Sequence, residues 1–171
     1  MDYKIFKTIN QLSGRCYPID LLMILISNRI RYLFIFVLIF MWFRNYSNKI
    51  ASRNALISAG ISLLMNMLIK LFYFKQRPFV KRKVGILIPA KLDSSFPSKH
   101  TLLVFAISTS IFLYERFIGS IMWVLSVLTG LSRIWVGHHY PSDIIGSALL
   151  GTIMSILIDK TARCVNYFAR P

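Results

Sequence analysis

Five predominantly apolar stretches, residues 30–45, 53–73, 98–115, 119–136 and 142–159, dominate the chain. A transmembrane helix needs about 20 such residues to cross a hydrocarbon layer about 30 Å thick. Lipid offers backbone N–H and C=O groups no partner, so a spanning segment must satisfy them internally. The sequence therefore predicts an all-α protein, an integral membrane helical bundle with about five transmembrane spans. The first and fifth stretches are short, but Arg31, Arg44 and Lys160 near their ends can snorkel to the headgroups. Composition agrees: 56% of the 171 residues are hydrophobic and 14% aromatic, too apolar for a soluble domain of this size.

Ahead of the first span the chain reads MDYKIFKTINQLSGR, which lacks the apolar core and cleavage site of a secretory signal and is predicted to remain in the mature protein. Ile5, Ile9 and Leu12 share one face, predicting a short helix in the membrane interface. A second short interfacial helix is predicted from Pro18 to about Ser27, because Asn28, Arg29 and Arg31 follow. On insertion scales each arginine at a helix centre costs about 2.5–3.5 kcal/mol. The connection 46–52 is short and polar, 116–118 reads as a tight turn, and 74–97 is the one long loop. With no repeat, low-complexity tract or linker, residues 1–171 are predicted to form one membrane-embedded domain: interfacial helices over 1–28, the bundle over 30–159 and a tail over 160–171.

The formal charge is +15, from 21 Lys and Arg against 6 Asp and Glu. These cations lie mostly between apolar runs and not along one solvated face, which points to membrane lipids or a phosphorylated substrate and away from nucleic acid. Cys16 and Cys164 are isolated and fit neither a disulfide framework nor a zinc site, so both are read as free thiols.

Successive spans alternate direction, which sorts the polar segments by membrane face. The end of span two, the start of span three, the end of span four and the start of span five share one face. They carry KLFYFKQRP (70–78), PSKH (97–100) and SRIWVGHHYPSD (132–143), including all three histidines. Lys70, Arg77 and Arg133 then converge with the Ser98 hydroxyl and the N–H groups of two helix starts, a set suited to phosphate oxygens. One histidine can attack phosphorus while another protonates the leaving oxygen. Asp143, four residues after His139, can hold a ring nitrogen and fix its tautomer.

These residues resemble the type 2 phosphatidic acid phosphatase superfamily, whose pattern is K-x6-RP, then PSGH, then SR-x5-H-x3-D. The matching residues are Lys70 with Arg77 and Pro78, then Pro97, Ser98, Lys99 and His100, then Ser132, Arg133, His139 and Asp143. The resemblance implies that His139 is the nucleophile that becomes phosphohistidine and that His100 is the general acid that later activates water. It further implies that Asp143 orients His139, that Lys70, Arg77, Ser98 and Arg133 cradle the phosphoryl oxygens, and that no metal or cofactor is required. The sequences flanking the motifs are most similar to the bacitracin-resistance type of bacterial undecaprenyl-diphosphate phosphatases, which implies an isoprenoid lipid diphosphate as substrate, with roles in cell-wall peptidoglycan synthesis and antibiotic resistance.

Lys99 departs from the pattern, standing where the family has glycine. It keeps the backbone N–H and adds an ammonium beside His100 that can reach the second phosphate of a diphosphate. His138 reads as a supporting or surface ring, and Lys75, Lys81, Arg82 and Lys83 as a solvated charge run that attracts anionic lipid. The rival readings are a phosphatidate or phosphatidylglycerol-phosphate phosphatase and a non-enzymatic basic membrane protein. Charge alone does not orient the chain, because both faces carry many cations. The resemblance implies a multi-pass protein of the bacterial plasma membrane with its site outside the cytoplasm.

Overall fold

A computed structural model describes residues 2–81, 84–89 and 92–168, with side chains to residue 165. Arg82 and Lys83, from the expected charge run, lie outside the described residues. The described residues form seven helices: α1 (Asp2–Asn10), α2 (Tyr17–Arg44), α3 (Tyr46–Phe72), α4 (Pro78–Lys81), α5 (Lys99–Phe112), α6 (Arg116–Trp135) and α7 (Pro141–Phe168). Four are long and apolar enough to cross a membrane, namely α2, α3, α6 and α7 through Val165.

The third expected span differs. Helix α5 has 14 residues, about 21 Å at 1.5 Å per residue, and does not by itself match a layer of about 30 Å. It has no need to, because it is enclosed by α3, α6 and α7 and is buried almost throughout. Small and hydroxyl-bearing residues let the surrounding backbones approach. Ser110 bonds Ser58 of α3 at 3.2 Å and Ser155 of α7 at 2.7 Å, and Ser126 of α6 donates to the Val104 carbonyl at 3.1 Å. A Cβ on Gly151 of α7 would lie 2.4 Å from the Leu102 carbonyl oxygen, so only glycine permits this approach. Phe34, Leu38, Met41, Phe105, Ile111 and Met122 fill the apolar core beside it.

The second interfacial helix and the first span prove to be one continuous helix, α2, begun at Pro18 in its first turn. Its first half packs on α6: Asp20 accepts from the Trp135 indole at 2.8 Å and Ser27 from Arg133 at 2.6 Å. Asn28 and Arg31 line a cavity, while Arg29 and Arg31 are exposed, and the helix runs on through all three. The polar stretch 46–52 is likewise the opening of α3. Asn45 ends α2 and caps α3, its Oδ1 accepting from the Asn48 N–H at 2.9 Å, and Ser52 donates to the Leu38 carbonyl.

Helix α1 is present, and the residues that pack on the protein are on a face other than that of Ile5 and Leu12. Phe6 and Asn10 are buried, while Ile5 and Leu12 are about half exposed. Phe6 lies between Tyr3 and Tyr140, and the Asn10 amide donates to the carbonyls of Gly85 and Trp135. Cys16 and Cys164 are free and exposed.

Candidate active site

The turn between α6 and α7 sets the two adjacent histidines. The N–H groups of His138 and His139 both donate to the Arg133 carbonyl, at 3.1 and 3.3 Å. Gly137 makes the turn possible with φ +85°, where a Cβ would also meet the Gly85 carbonyl oxygen at 2.6 Å. His138 points its Nε2 at the Ile88 carbonyl, 2.8 Å away, and so donates from it. His139 has its Nδ1 at 2.7 Å from the Ser95 carbonyl. A carbonyl only accepts, so Nδ1 carries the proton and the Nε2 lone pair is left facing Arg77 Nη1 at 3.5 Å.

Both rings are held neutral. Burial, then the charges of Arg133 and Arg77, push His139 well below the ordinary histidine value. Burial and Arg133 likewise push His138 down to about 4, against the raising effect of its hydrogen bond to Ile88. A neutral ring with its lone pair on Nε2 is the form of histidine that can act as a nucleophile.

Cations surround that lone pair. Arg77 is nearly buried and donates from Nη1 to the His138 carbonyl at 3.3 Å. Its other edge meets Asp93 Oδ1 at 2.7 and 3.0 Å. Lys70 pairs with the second oxygen of the same carboxylate at 2.9 Å. Burial pushes Asp93 up, but the hydrogen bonds and charges of Lys70 and Arg77 outweigh it and hold the carboxyl below its usual range. Asp93 thus sits on two of the expected phosphate ligands as an internal anion. Arg133, bonded to Ser27, keeps a buried Nε with no protein partner. Lys70, Arg77, Arg133, Lys99, His100, His138 and His139 all line one cavity of about 480 Å³, with Asn28 and Arg31 of α2.

Asp143 and Ser98 stand elsewhere. The Asp143 carboxylate is fully buried, 4.0 Å from His139 Nδ1, and does not take that proton directly. It accepts from the Ser95 hydroxyl, from the Tyr140 N–H at 3.0 Å and from Lys75 at 2.6 Å. Its hold on His139 therefore runs through Ser95, whose hydroxyl it fixes and whose carbonyl bonds the ring. Ser98 is buried behind the cavity wall: its N–H donates to Ser147 at 2.7 Å and its hydroxyl accepts from Thr101 at 3.1 Å.

Lys75 is no solvated lysine. Besides Asp143 it reaches Ser142 at 2.9 Å and Asp2 of α1 at 3.7 Å, and its carbonyl accepts from the Ser95 N–H at 2.7 Å. Sequence reasoning passed over Ser95 and Asp93 and read Lys75 as solvated. A usable signal existed: the chain has only 6 acidic residues, so an acid within the motif-side loop had to meet cations. Among the described residues no three His, Cys, Asp or Glu side chains gather as a metal site.

Residues 51–164 match the family model described as the PAP2 superfamily. The chain belongs to that superfamily. Undecaprenyl-diphosphatase BcrC of Bacillus subtilis is 40% identical over 172 residues, covering 98% of this chain and 88% of the relative. The crystal structure of Aquifex aeolicus LpxE superposes with a TM-score of 0.77 at 28% identity, over 93% of this chain and 94% of that one. A PAP2 type phosphatidylglycerolphosphate phosphatase from Bacillus subtilis has the same fold, with a TM-score of 0.72 at 21% identity over 96% and 85% of the two chains. Four long apolar helices and PAP2 superfamily membership make this a multi-pass membrane protein. Within a PAP2 chain the three sequence motifs are no longer separate patterns, because α3, α5 and the turn after α6 bring Lys70, His100 and His139 to one cavity.

Proposed function

We infer that this protein is an undecaprenyl-diphosphate phosphatase, an enzyme that hydrolyses undecaprenyl diphosphate to undecaprenyl phosphate and inorganic phosphate. The observation that carries the chemistry is the buried, neutral His139, with its Nε2 lone pair turned toward a cavity lined with guanidinium and ammonium groups. The substrate follows from the extensive likeness to a Bacillus subtilis protein of that activity.

The terminal phosphoryl group displaces Asp93 from Lys70 and Arg77 and takes the unpartnered Nε of Arg133. These fixed cations match the charge that builds on the equatorial oxygens during transfer. His139 Nε2 attacks phosphorus, and the N–P bond forms as the anhydride P–O bond breaks. In the empty site burial, then the charges of Arg133, Arg31 and Lys99, push His100 down to about 3; the anionic diphosphate offsets those cations, and His100, protonated with substrate bound, gives its proton to the leaving oxygen of undecaprenyl phosphate. The ring of the phosphohistidine becomes cationic, supported by the Ser95 carbonyl on Nδ1 and the Asp143 carboxylate behind it. Neutral His100 then takes a proton from water, whose oxygen attacks phosphorus. The N–P bond breaks, releasing phosphate and restoring both histidines.

The site faces outside the cytoplasm in the bacterial plasma membrane. Commitment of Lys75 to Asp143 and of Arg77 to Asp93 supports this orientation, since those charges serve the site and weigh less as topological signals.

The decisive assay is phosphate release from undecaprenyl diphosphate by the purified protein in detergent, with phosphatidate and phosphatidylglycerol phosphate run beside it. The expected result is fastest release from the diphosphate; faster release from either monophosphate lipid overturns the substrate assignment. With Cys16 and Cys164 changed to serine, a cysteine at Ile86 should react with an impermeant thiol reagent on intact cells. One at the exposed Lys49 should not, and the reverse pattern places the site in the cytoplasm.

A further inference from the structure

Arg31 lies near the middle of the 28-residue α2, where an arginine facing hydrocarbon is costly and where intramembrane cations normally face a polar cavity. It lines the same cavity as His139. Its guanidinium meets the hydroxyl of the adjoining Tyr32 at 3.3 Å and lies 5.0 Å from that ring, and among the described residues it has no carboxylate partner. Lys70 and Arg77, by contrast, share Asp93. Two further donors of the cavity wall are also without protein partners among the described residues, the Lys99 ammonium and the side-chain amide of Asn28, one helical turn before Arg31.

The placement of these groups has a direction. His100 donates to the leaving oxygen, so the part of the substrate that departs with the lipid lies toward the start of α5. Lys99 is the residue beside it, and α2 lines that cavity with Asn28 and Arg31. The volume of about 480 Å³ is many times the roughly 10–15 Å³ that admits one water, ample for more than one phosphoryl group. We propose that Arg31, Lys99 and Asn28 form a second anion subsite that binds the phosphate retained by the lipid. This rests on the phosphatase reading above and assigns to α2, outside all three motifs, the discrimination of diphosphates from monophosphates. A monophosphate leaves the subsite empty and its cations unneutralised; a diphosphate fills both subsites, with Lys70, Arg77 and Arg133 at the first and Arg31 and Lys99 at the second.

The test compares two soluble anions, orthophosphate for the first subsite and methylenediphosphonate, which resists cleavage, for both. Inhibition constants against undecaprenyl diphosphate hydrolysis are measured for the wild type, Arg31→Ala, Arg31→Lys and Lys99→Gly. Direct binding of the same anions to His139→Ala, with and without Arg31→Ala, covers variants too slow to assay. Arg31→Ala and Lys99→Gly should each weaken methylenediphosphonate by about tenfold to a hundredfold while orthophosphate stays within about twofold. Arg31→Lys should fall between. Equal weakening of both anions, or of neither, overturns the second subsite. Wild-type protein that releases no phosphate from undecaprenyl diphosphate overturns the phosphatase reading instead, and the binding comparison still reports on the subsite.

Discussion

At the end of the bundle away from the cavity, Asp159 accepts the Tyr114 hydroxyl at 2.6 Å and pairs with Arg163 at 2.8 Å, while Asn54 donates to Tyr114 at 3.0 Å. Burial, then the bond to Asp159, hold Tyr114 above its ordinary value and keep it a donor. At the cavity end, Arg31, Lys99 and the Arg133 Nε have no anion, and Lys70 with Arg77 must share one. Within this network the buried Asp159 has both its donors, although among the described residues Asn54 Oδ1 and the Asn48 amide stay buried without a partner. The cavity end is left short of negative charge, and the deficit has the shape of a substrate. Local charge balance thus separates a network that holds helices together from one that waits for a ligand.

The contrast can be broken most sharply at His139. His139→Ala should lower kcat by more than about a thousandfold, with the melting temperature nearly unchanged; retention of a tenth of wild-type turnover would remove the assigned nucleophile. A smaller loss is expected one step back. Lys75→Ala should cut kcat about ten- to hundredfold through a misplaced ring and leave KM little changed, with Lys75→Arg recovering part. Asp143→Asn should behave alike, and a rise in KM alone would mean that Lys75 touches substrate and does not position His139.

The far end should answer in stability. Tyr114→Phe strands Asp159 and Asn54 and should cost about 1–3 kcal/mol, read by denaturation in detergent, with kcat/KM unchanged. Acid should act at the cavity end. His138 and His139 are neutral when folded, whereas an unfolded histidine titrates near 6.5. Unfolding therefore takes up protons below about pH 6.5, and the melting temperature should fall from there toward pH 4. His138→Gln should flatten that slope; an unchanged slope would place the acid sensitivity elsewhere. The smallest effect belongs to Asp93→Asn. Because the carboxylate is half exposed, each pair is worth about 0.2–1 kcal/mol. Orthophosphate should bind a few-fold more tightly once its internal competitor loses charge, and weaker binding would make Asp93 a scaffold of the cradle.

Much of this was legible in the sequence where a rule acts along one dimension. Apolar length marked the long helices, and alternation of direction brought residues 70–78, 97–100 and 132–143 to one face. Four features escaped because they depend on what lies beside a residue in space. Arg31 argued for a break in α2, yet the helix continues past it and Arg31 lines a polar cavity. Helix α5 reads as a span by composition, yet burial on three sides frees it from matching the bilayer. The Asp143 and His139 spacing is right for a direct bond, but the Ser95 carbonyl arrives from a distant loop and takes the Nδ1 proton first. Lys75 looked solvated because its partner, Asp143, is far along the chain and hidden until the fold is formed.

Gly151 carries a consequence for speed. Leu102, whose carbonyl touches it, sits two residues after His100 on α5, and Gly151 lies about two turns along α7 from Asp143. The missing carbon therefore gauges how far His100, the proposed acid, stands from His139, the proposed nucleophile. Reacting atoms must be held about 3–3.5 Å apart, and a misplacement of about 1 Å can slow a reaction a hundredfold. A methyl group at 151 would act as a shim between α5 and α7, tilting His100 off its mark although no residue of the cavity had been changed. The tolerance of the catalytic gap is thus machined in the middle of the bundle, at an atom that never meets the substrate.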